Sequence, residues 1–377
     1  MTQPAPAAEP SQAKKFACQA CGAKVDFQPG SSSLHCPYCG NDTPIPQSEE
    51  DIKELDYEAF FAEVGPKEEQ LTASTVKCSG CAADVVVQGT LAFTSCPFCN
   101  HNIKNEAAQQ KLIKPKSLLP FAITKEKARE LFKRWIASLW FAPNALKRDA
   151  LGDSQIKGLY VPYWTYDCDT TCFYRGERGD DYWTTETYTT NENGRSVTKT
   201  RQVKRTRWTS VSGTVWNTFD DILILASRTL PKKYTDALEP WDLKELKPYD
   251  DDYVSGFQAE VYQVGLVEGF SEARVCMEPK IRSTICSDIG GDHQRISSMK
   301  TRYDDISFKH LLLPVWMSVY RFHGQVFRFL VNARTGEVQG ERPYSWIKIT
   351  LLVLAILCGL VVIGLFISAN GGKHPHH

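Results

Sequence analysis

Eight of the thirteen cysteines lie before residue 100, in four Cys-x-x-Cys pairs, and the pairs themselves repeat. Cys18, Cys21, Cys36 and Cys39 recur sixty residues later as Cys78, Cys81, Cys96 and Cys99, with fourteen residues between the pairs in each copy. A Cys-x-x-Cys turn offers two thiolates from one knuckle. A hairpin brings a second knuckle over and completes a tetrahedral site with metal–sulfur bonds of about 2.3 Å. Fourteen residues suffice for two short strands and a turn, so each copy is expected to be a zinc ribbon. The ribbons span residues 16–42 and 76–104, and the chain is expected to carry two structural Zn2+ ions.

Four cysteines per site leave no position for water, so neither zinc is set up for catalysis. Metal binding, worth on the order of 10 kcal/mol, substitutes for the core that so short a ribbon cannot build. His35 and His101 flank knuckles, would be fifth ligands, and read as surface residues. Residues 1–15, rich in Ala, Pro and Gln, read as a disordered tail without the apolar run of a signal peptide. That start implies a reducing compartment, where such spacing favours metal over disulfides.

At the other end, residues 349–368 contain no charge and no proline. Twenty helical residues span about 30 Å, the thickness of a bilayer's hydrocarbon core. A transmembrane helix is expected over 347–368, followed by a short tail, 369–377. Tyr344 and Trp346, with Arg342 and Lys348, suit the interface. This pattern predicts a single-pass C-terminal anchor in the inner (cytoplasmic) membrane, with the N-terminal domains cytoplasmic.

Between these ends, 43–75 reads as an acidic helical linker with Ile52, Leu55, Phe60 and Val64 on one face. Residues 117–345 read as an α+β domain with an antiparallel sheet. A helix after a Thr124 cap aligns Ala128, Leu131, Trp135 and Leu139. Asn193-Gly194 between Thr-rich runs signals a hairpin. A second helix is expected from Pro279, with Ile281, Ile285 and Ile289 on one side and a stop at Gly290-Gly291. Leu-Pro-Val-Trp (313–316) echoes Val-Pro-Tyr-Trp (161–164), which suggests two related sheet segments, with Trp164 and Trp316 as core anchors.

The remaining cysteines make weaker ligands. Cys168 and Cys172 in one strand would lie about 13 Å apart. Cys276 and Cys286 read as core residues, and Cys358 faces lipid or another helix. Asp288, Asp292 and His293 read as a polar turn. Arg195, Lys199, Arg201, Arg205 and Arg207 share one parity and line one face of an extended strand, with Lys204 adding charge. That stripe is open to three readings: a solvated face balanced by acidic residues, a surface for anionic lipid or an acidic protein, or a phosphate-binding surface for nucleic acid. Net charge is zero, with 44 basic and 44 acidic residues, so no global field favours nucleic acid. The phosphate loop, the Rossmann glycines and Gly-x-Ser-x-Gly are all absent, which excludes a nucleotide-driven motor.

The two ribbons, LLPFAITKEKA (118–128), GLYVPYWTYD (158–167), YRGERG (174–179), FKHLLLPVW (308–316) and VNARTGEVQGERPYS (331–345) together resemble a bacterial family of TFIIB-type zinc-ribbon membrane proteins. Its members often carry the label "primosomal protein N′ (replication factor Y), superfamily II helicase-like". The resemblance implies a partner among flotillin-like (SPFH) or phage-shock-type membrane proteins. The expected function is a membrane-tethered, non-enzymatic zinc-ribbon adaptor that recruits such a protein. The alternative is a nucleic-acid-binding factor held at the membrane, without an ATPase motor.

Overall fold

Three very long strands organise the molecule: β1 (Lys157–Glu192), β2 (Arg195–Leu225) and β3 (His293–Phe322). The computed structural model describes residues 17–46, 52–62, 70–79, 83–86, 93–96, 98, 101–104, 108–143, 156–192, 195–322 and 325–370. β1 is central. It pairs antiparallel with β3 from Lys157↔Met317 to Gly179↔His293 and with β2 from Tyr163↔Leu225 to Glu192↔Arg195. Asn193-Gly194 lies outside the described residues, but pairing up to Glu192↔Arg195 leaves the two-residue connection that the dipeptide predicts. Beyond Gly179, β3 no longer accompanies β1. Residues 180–192 and 195–207 therefore project as a two-stranded arm about 40 Å long, at about 3.3 Å per residue.

The echo between the two Pro-aromatic motifs proves to be a structural duplication. Their strands are antiparallel neighbours, with Val161 opposite Leu313 and Pro162 opposite Leu312. Each opens a hairpin, β1 with β2 and β3 with β4 (Gln325–Asn332). The Pro162 carbonyl accepts from Ala226 N–H at 3.0 Å, and the Pro314 carbonyl accepts from Ala333 N–H at 3.1 Å. Ala226 O in turn accepts from Gln263 and Val264, as Ala333 O accepts from Ala122 and Ile123. The indoles repeat the relation, Trp164 donating to Val264 O at 2.9 Å and Trp316 to Ile123 O at 2.7 Å. Both tryptophans are buried core anchors, as expected.

A helix follows each equivalent loop: α1 (Lys125–Ser138) after Thr124, and α2 (Leu266–Ile289) after Gly265. Thr124 Oγ1 accepts from Lys127 N–H at 3.3 Å, the expected cap. α1 buries Ala128, Phe132 and Ile136, a face one step round from the expected one, and Phe132 stacks on Phe329 with ring centroids 3.5 Å apart. α2 begins thirteen residues earlier than Pro279, which sits inside it. Pro279 lacks an N–H for the Val275 carbonyl, a cost of about 3 kcal/mol in a helix interior. Burial of Phe270, Met277, Ile281, Ile285 and Ile289 contributes about 1.5–3 kcal/mol each and outweighs it. Cys276 is exposed rather than in the core, because Ala273 and Met277 take the sheet-facing positions; Cys286 is half-buried.

Both cysteine-bearing segments pack against the large sheet. In ribbon 1, strands Asp26–Phe27, Ser33–His35 and Asp42–Pro44 form a small antiparallel sheet. Its Val25, Phe27, Leu34 and Cys36 share one core with α1, Tyr160, Leu312 and Trp316. Val76, Cys78, Cys96 and Phe98 of the second segment pack with Leu159, Val161, Leu311 and Leu313. Because side chains alternate along a strand, the two segments cover opposite faces. The linker departs most from expectation. Among its described residues only Tyr57–Ala62 is helical, Leu55–Asp56 pairs with Phe308 and Ser307, Gln70–Lys77 is a strand, and Val64 lies outside the described residues. Leu55, Tyr57 and Phe60 pack on the core beneath α2, so tertiary contacts override helix propensity there.

The last helix, α3 (Trp346–Asn370), is long and apolar enough to cross a membrane, and from Thr350 to Phe366 every side chain is exposed.

Candidate metal centre

Ribbon 1 brings Cys18, Cys21, Cys36 and Cys39 together, with one sulfur from each within 4.8 Å of all the others. Two knuckles of one design supply them. Cys18 N–H donates to Ala23 O at 2.7 Å and Gly22 N–H to Cys18 O at 2.8 Å; Cys36 N–H donates to Asn41 O at 3.0 Å and Gly40 N–H to Cys36 O at 2.9 Å. Gly22 and Gly40 both take φ of +74°, the left-handed conformation that closes each turn. Cys18 Sγ lies 3.5 Å from Cys39 Sγ, and Cys21 Sγ lies 3.6 Å from Cys36 Sγ. Tetrahedral bonds of about 2.3 Å require sulfurs about 3.8 Å apart, so the four thiols fit a metal ion and fill its coordination sphere.

The electrostatics point the same way. Backbone N–H groups of Ala20 and Cys21 draw the Cys18 thiol down to about 6, and the Cys39 N–H lowers Cys36. The N–H groups of Ala23 and Asn41 favour thiolates at Cys21 and Cys39. The neighbouring sulfurs prevail and raise both, Cys39 to about 12. These shifts favour the thiolate form at Cys18 and Cys36 and oppose it at Cys21 and Cys39; a cation between the four sulfurs would favour it at all of them.

The second copy repeats the knuckle bonds: Cys78 N–H donates to Ala83 O and Cys96 N–H to His101 O, both at 2.8 Å, and Phe98 N–H approaches Cys96 Sγ at 3.4 Å. Cys78 and Cys96 are buried, whereas Cys81 and Cys99 lie outside the described residues. His35 pairs with Asp42 at 2.7 Å, and His101 is exposed. Cys168 and Cys172 are buried in β1, beside Met277 and Thr301 respectively, and burial pushes Cys168 up to about 11. Asp288, Asp292 and His293 do not converge on one point: the last two meet at Asp181 and the first stands apart. They accept from Tyr174 OH, accept from Asp181 N–H and pair with Asp181, respectively.

The basic stripe lies on the arm, interleaved with acids and aromatics. Opposite Arg195, Lys199, Arg201, Arg205 and Arg207 stand Glu192, Tyr188, Glu186, Tyr182 and Asp180. Glu186 pairs with both Arg201, at 3.2 Å, and Arg205. Lys204 turns to the other face and lies 2.6 Å from Asp181, where that ammonium helps hold the carboxyl down at about 2. Cross-strand carboxylates thus match much of the charge, and the stripe is no uniform phosphate track.

One charged site left no trace in the sequence. Lys309, with 9% of its side chain exposed, lies 2.9 Å from both Glu54 and Asp221; Ser307 Oγ donates to Glu54 and Asp167. Asp167, Asp220 and Asp221 bring carboxylate oxygens within 4.8 Å of one another, and Lys309 supplies the local positive charge. These residues lie too far apart in the chain for spacing to signal them.

No family profile matches the chain. It is similar to the uncharacterized protein YdjG of Bacillus subtilis (strain 168), at 27% identity over 237 residues. That similarity covers 61% of this chain and 64% of the relative's length.

Proposed function

We propose that the protein is a non-enzymatic adaptor anchored in the inner membrane by residues 347–368, with residues 1–345 cytoplasmic. Two structural zinc ions, one per ribbon, stiffen it, and it recruits a protein partner of the flotillin-like or phage-shock type. The observation that carries this reading is the closed four-thiol cluster, joined to the body's core through buried Cys18 and Cys36: a metal there holds structure and has no vacant position for substrate. A single apolar helix cannot enclose a pore, which argues against transport. A lone span does concentrate the body at the membrane, which strengthens weak contacts.

The arm is the natural recruiting element. It projects from the body and exposes Trp183, Tyr182 and Tyr188, with Trp183 67% exposed. Aromatic side chains of this kind anchor protein interfaces. Replacing residues 182–205 by a two-residue turn keeps the pairing of Asp181 with Thr206 and shortens the arm. The shortened protein should reach the membrane and retain metal, yet fail to co-purify the partner that full-length protein captures in mild detergent. Partner capture by the armless protein would rule out the arm. DNA-dependent ATP hydrolysis by the purified chain would rule out the adaptor.

A further inference from the structure

The body and the apolar helix meet at a fixed joint. Lys348, in the first turn of α3, donates from its ammonium to Trp140 O at 3.1 Å and to Ala142 O at 2.9 Å. Ser345 N–H donates to Phe141 O at 2.7 Å, and Ser345 Oγ accepts from Lys348 N–H at 3.4 Å as the helix cap. Three consecutive carbonyls just beyond α1 therefore grip the residues that start the helix. Two of these bonds come from an ammonium group, the stronger class of hydrogen bond.

This joint brings Trp140 beside the first turn of α3, although it precedes Lys348 by 208 residues. Trp140 is 75% exposed, Trp346 81% and Tyr344 55%, and the Arg342 guanidinium lies 5.6 Å from the centre of the Tyr344 ring. Tryptophan and tyrosine collect at the headgroup level of bilayers, where an apolar ring and a polar N–H or O–H are both accommodated. Trp140 belongs to no span of its own, so only the fold supplies a reason for it at that depth.

We propose that Trp140 is a second interfacial anchor, inserting among lipid headgroups and seating the body against the bilayer in one orientation. This rests on the reading of residues 347–368 as a membrane span. A span alone fixes the depth of its own end and lets the body swing. A second contact off the helix axis, clamped through Lys348, removes that freedom. The ends of α1 and the start of α3 then form the membrane-facing side.

The test uses the full chain in phospholipid nanodiscs, with the photoreactive residue p-benzoylphenylalanine at position 140, 346 or 216. Position 216, occupied by a tryptophan that is 70% exposed on β2, serves as the water-facing control. Irradiation and mass spectrometry should find phospholipid adducts at 140 and 346 and none at 216. Lys348→Met, which removes both ammonium bonds, should cut the adduct at 140 several-fold while leaving that at 346. Adducts at 346 with none at 140 would overturn the anchor and leave the span standing. No adducts at either position would overturn both.

Discussion

The Glu54 carboxylate lies 2.9 Å from the Lys309 ammonium, tying the segment between the ribbons to the middle of β3. Lys309 is nearly buried and also reaches Asp221, so its removal leaves two partly exposed carboxylates without their cation. Lys309→Met should cost about 1–3 kcal/mol, below the full penalty of breaking a buried pair because solvent screens the acids. Urea unfolding of the detergent-solubilised chain measures this. Glu54→Gln combined with Lys309→Met should cost less than the sum of the two single changes. Strict additivity would mean the contact carries no coupling.

Asp167 sits beside that pair, and its burial, reinforced by Glu54, pushes its carboxyl up to about 7 from an ordinary 3.8, against the pull of the Asp221 N–H. Between those values the folded protein holds a proton that the unfolded chain has released. Asp167 therefore makes stability fall as pH rises from about 4 to 7. Glu54 is shifted the other way, down from 4.5 against its burial, by Ser307 and Lys309, so its stabilisation is present above about 4.5 and is lost as pH falls from there. Asp167→Asn keeps an acceptor for the Asp221 N–H and removes the titration. Its stability relative to the parent should be better at pH 8 than at pH 5. Equal differences at the two pH values would assign the proton elsewhere.

These two sites mark the limit of what sequence could reveal. The four-cysteine cluster of ribbon 1, the Thr124 cap, the hairpin at Asn193-Gly194 and the apolar last helix are written in local spacing, and each is readable within thirty residues. The pairing of Val-Pro-Tyr-Trp with Leu-Pro-Val-Trp was visible only as an echo, because the bonds that define the duplication involve backbone atoms of Ala226 and Ala333. The linker misled because its acidic, helix-prone composition says nothing about Leu55 joining β3. Pro279 misled because a proline usually opens a helix, and the burial that carries α2 through it is tertiary. The clamp between Lys348 and Trp140 lies beyond any local pattern.

Metal content gives the next prediction. Purified full-length protein should contain two zinc ions per chain, and Cys36→Ser with Cys39→Ser should reduce this to one. Cys36 is fully buried in a core shared with Phe121 and Phe132, so the same change should also lower the unfolding midpoint of the body. Structural zinc supplies on the order of 10 kcal/mol to such folds, which leaves ample room for a visible shift. Elemental analysis showing iron, or an unchanged midpoint after metal loss, would count against the assignment.

On the arm, Glu186 pairs with both Arg201 and Arg205 and offsets one of their two charges. Glu186→Gln should release both guanidinium groups and increase retention on heparin or anionic vesicles, an effect that salt suppresses. The parent chain should give a shallow salt dependence in a DNA gel shift. A slope equivalent to five or more phosphate contacts, at about 0.9 per contact, would favour the nucleic-acid reading.

The seat of ribbon 1 is open to a test that spares every cysteine. Gly256 holds φ at +84°, and a Cβ there would stand 2.7 Å from Asp26 Cβ and 2.9 Å from Asp26 Cγ. Its neighbour Ser255 accepts from Phe27 N–H at 3.0 Å and donates from Oγ to Val25 O at 2.8 Å, so the crowding falls on the bonds that fasten the ribbon. Gly256→Ala combines left-handed backbone strain with overpacking, about 2–4 kcal/mol together. The backbone of strand Asp26–Phe27 cannot retreat without breaking those bonds, so the strain should lift ribbon 1 from the sheet. Since Cys18, Cys21, Cys36 and Cys39 are untouched, metal content should stay at the parent value while proteolysis within residues 17–46 accelerates. Unchanged proteolysis together with a stability loss below about 0.5 kcal/mol, the range of an ordinary surface substitution, would show that the ribbon does not depend on this seat.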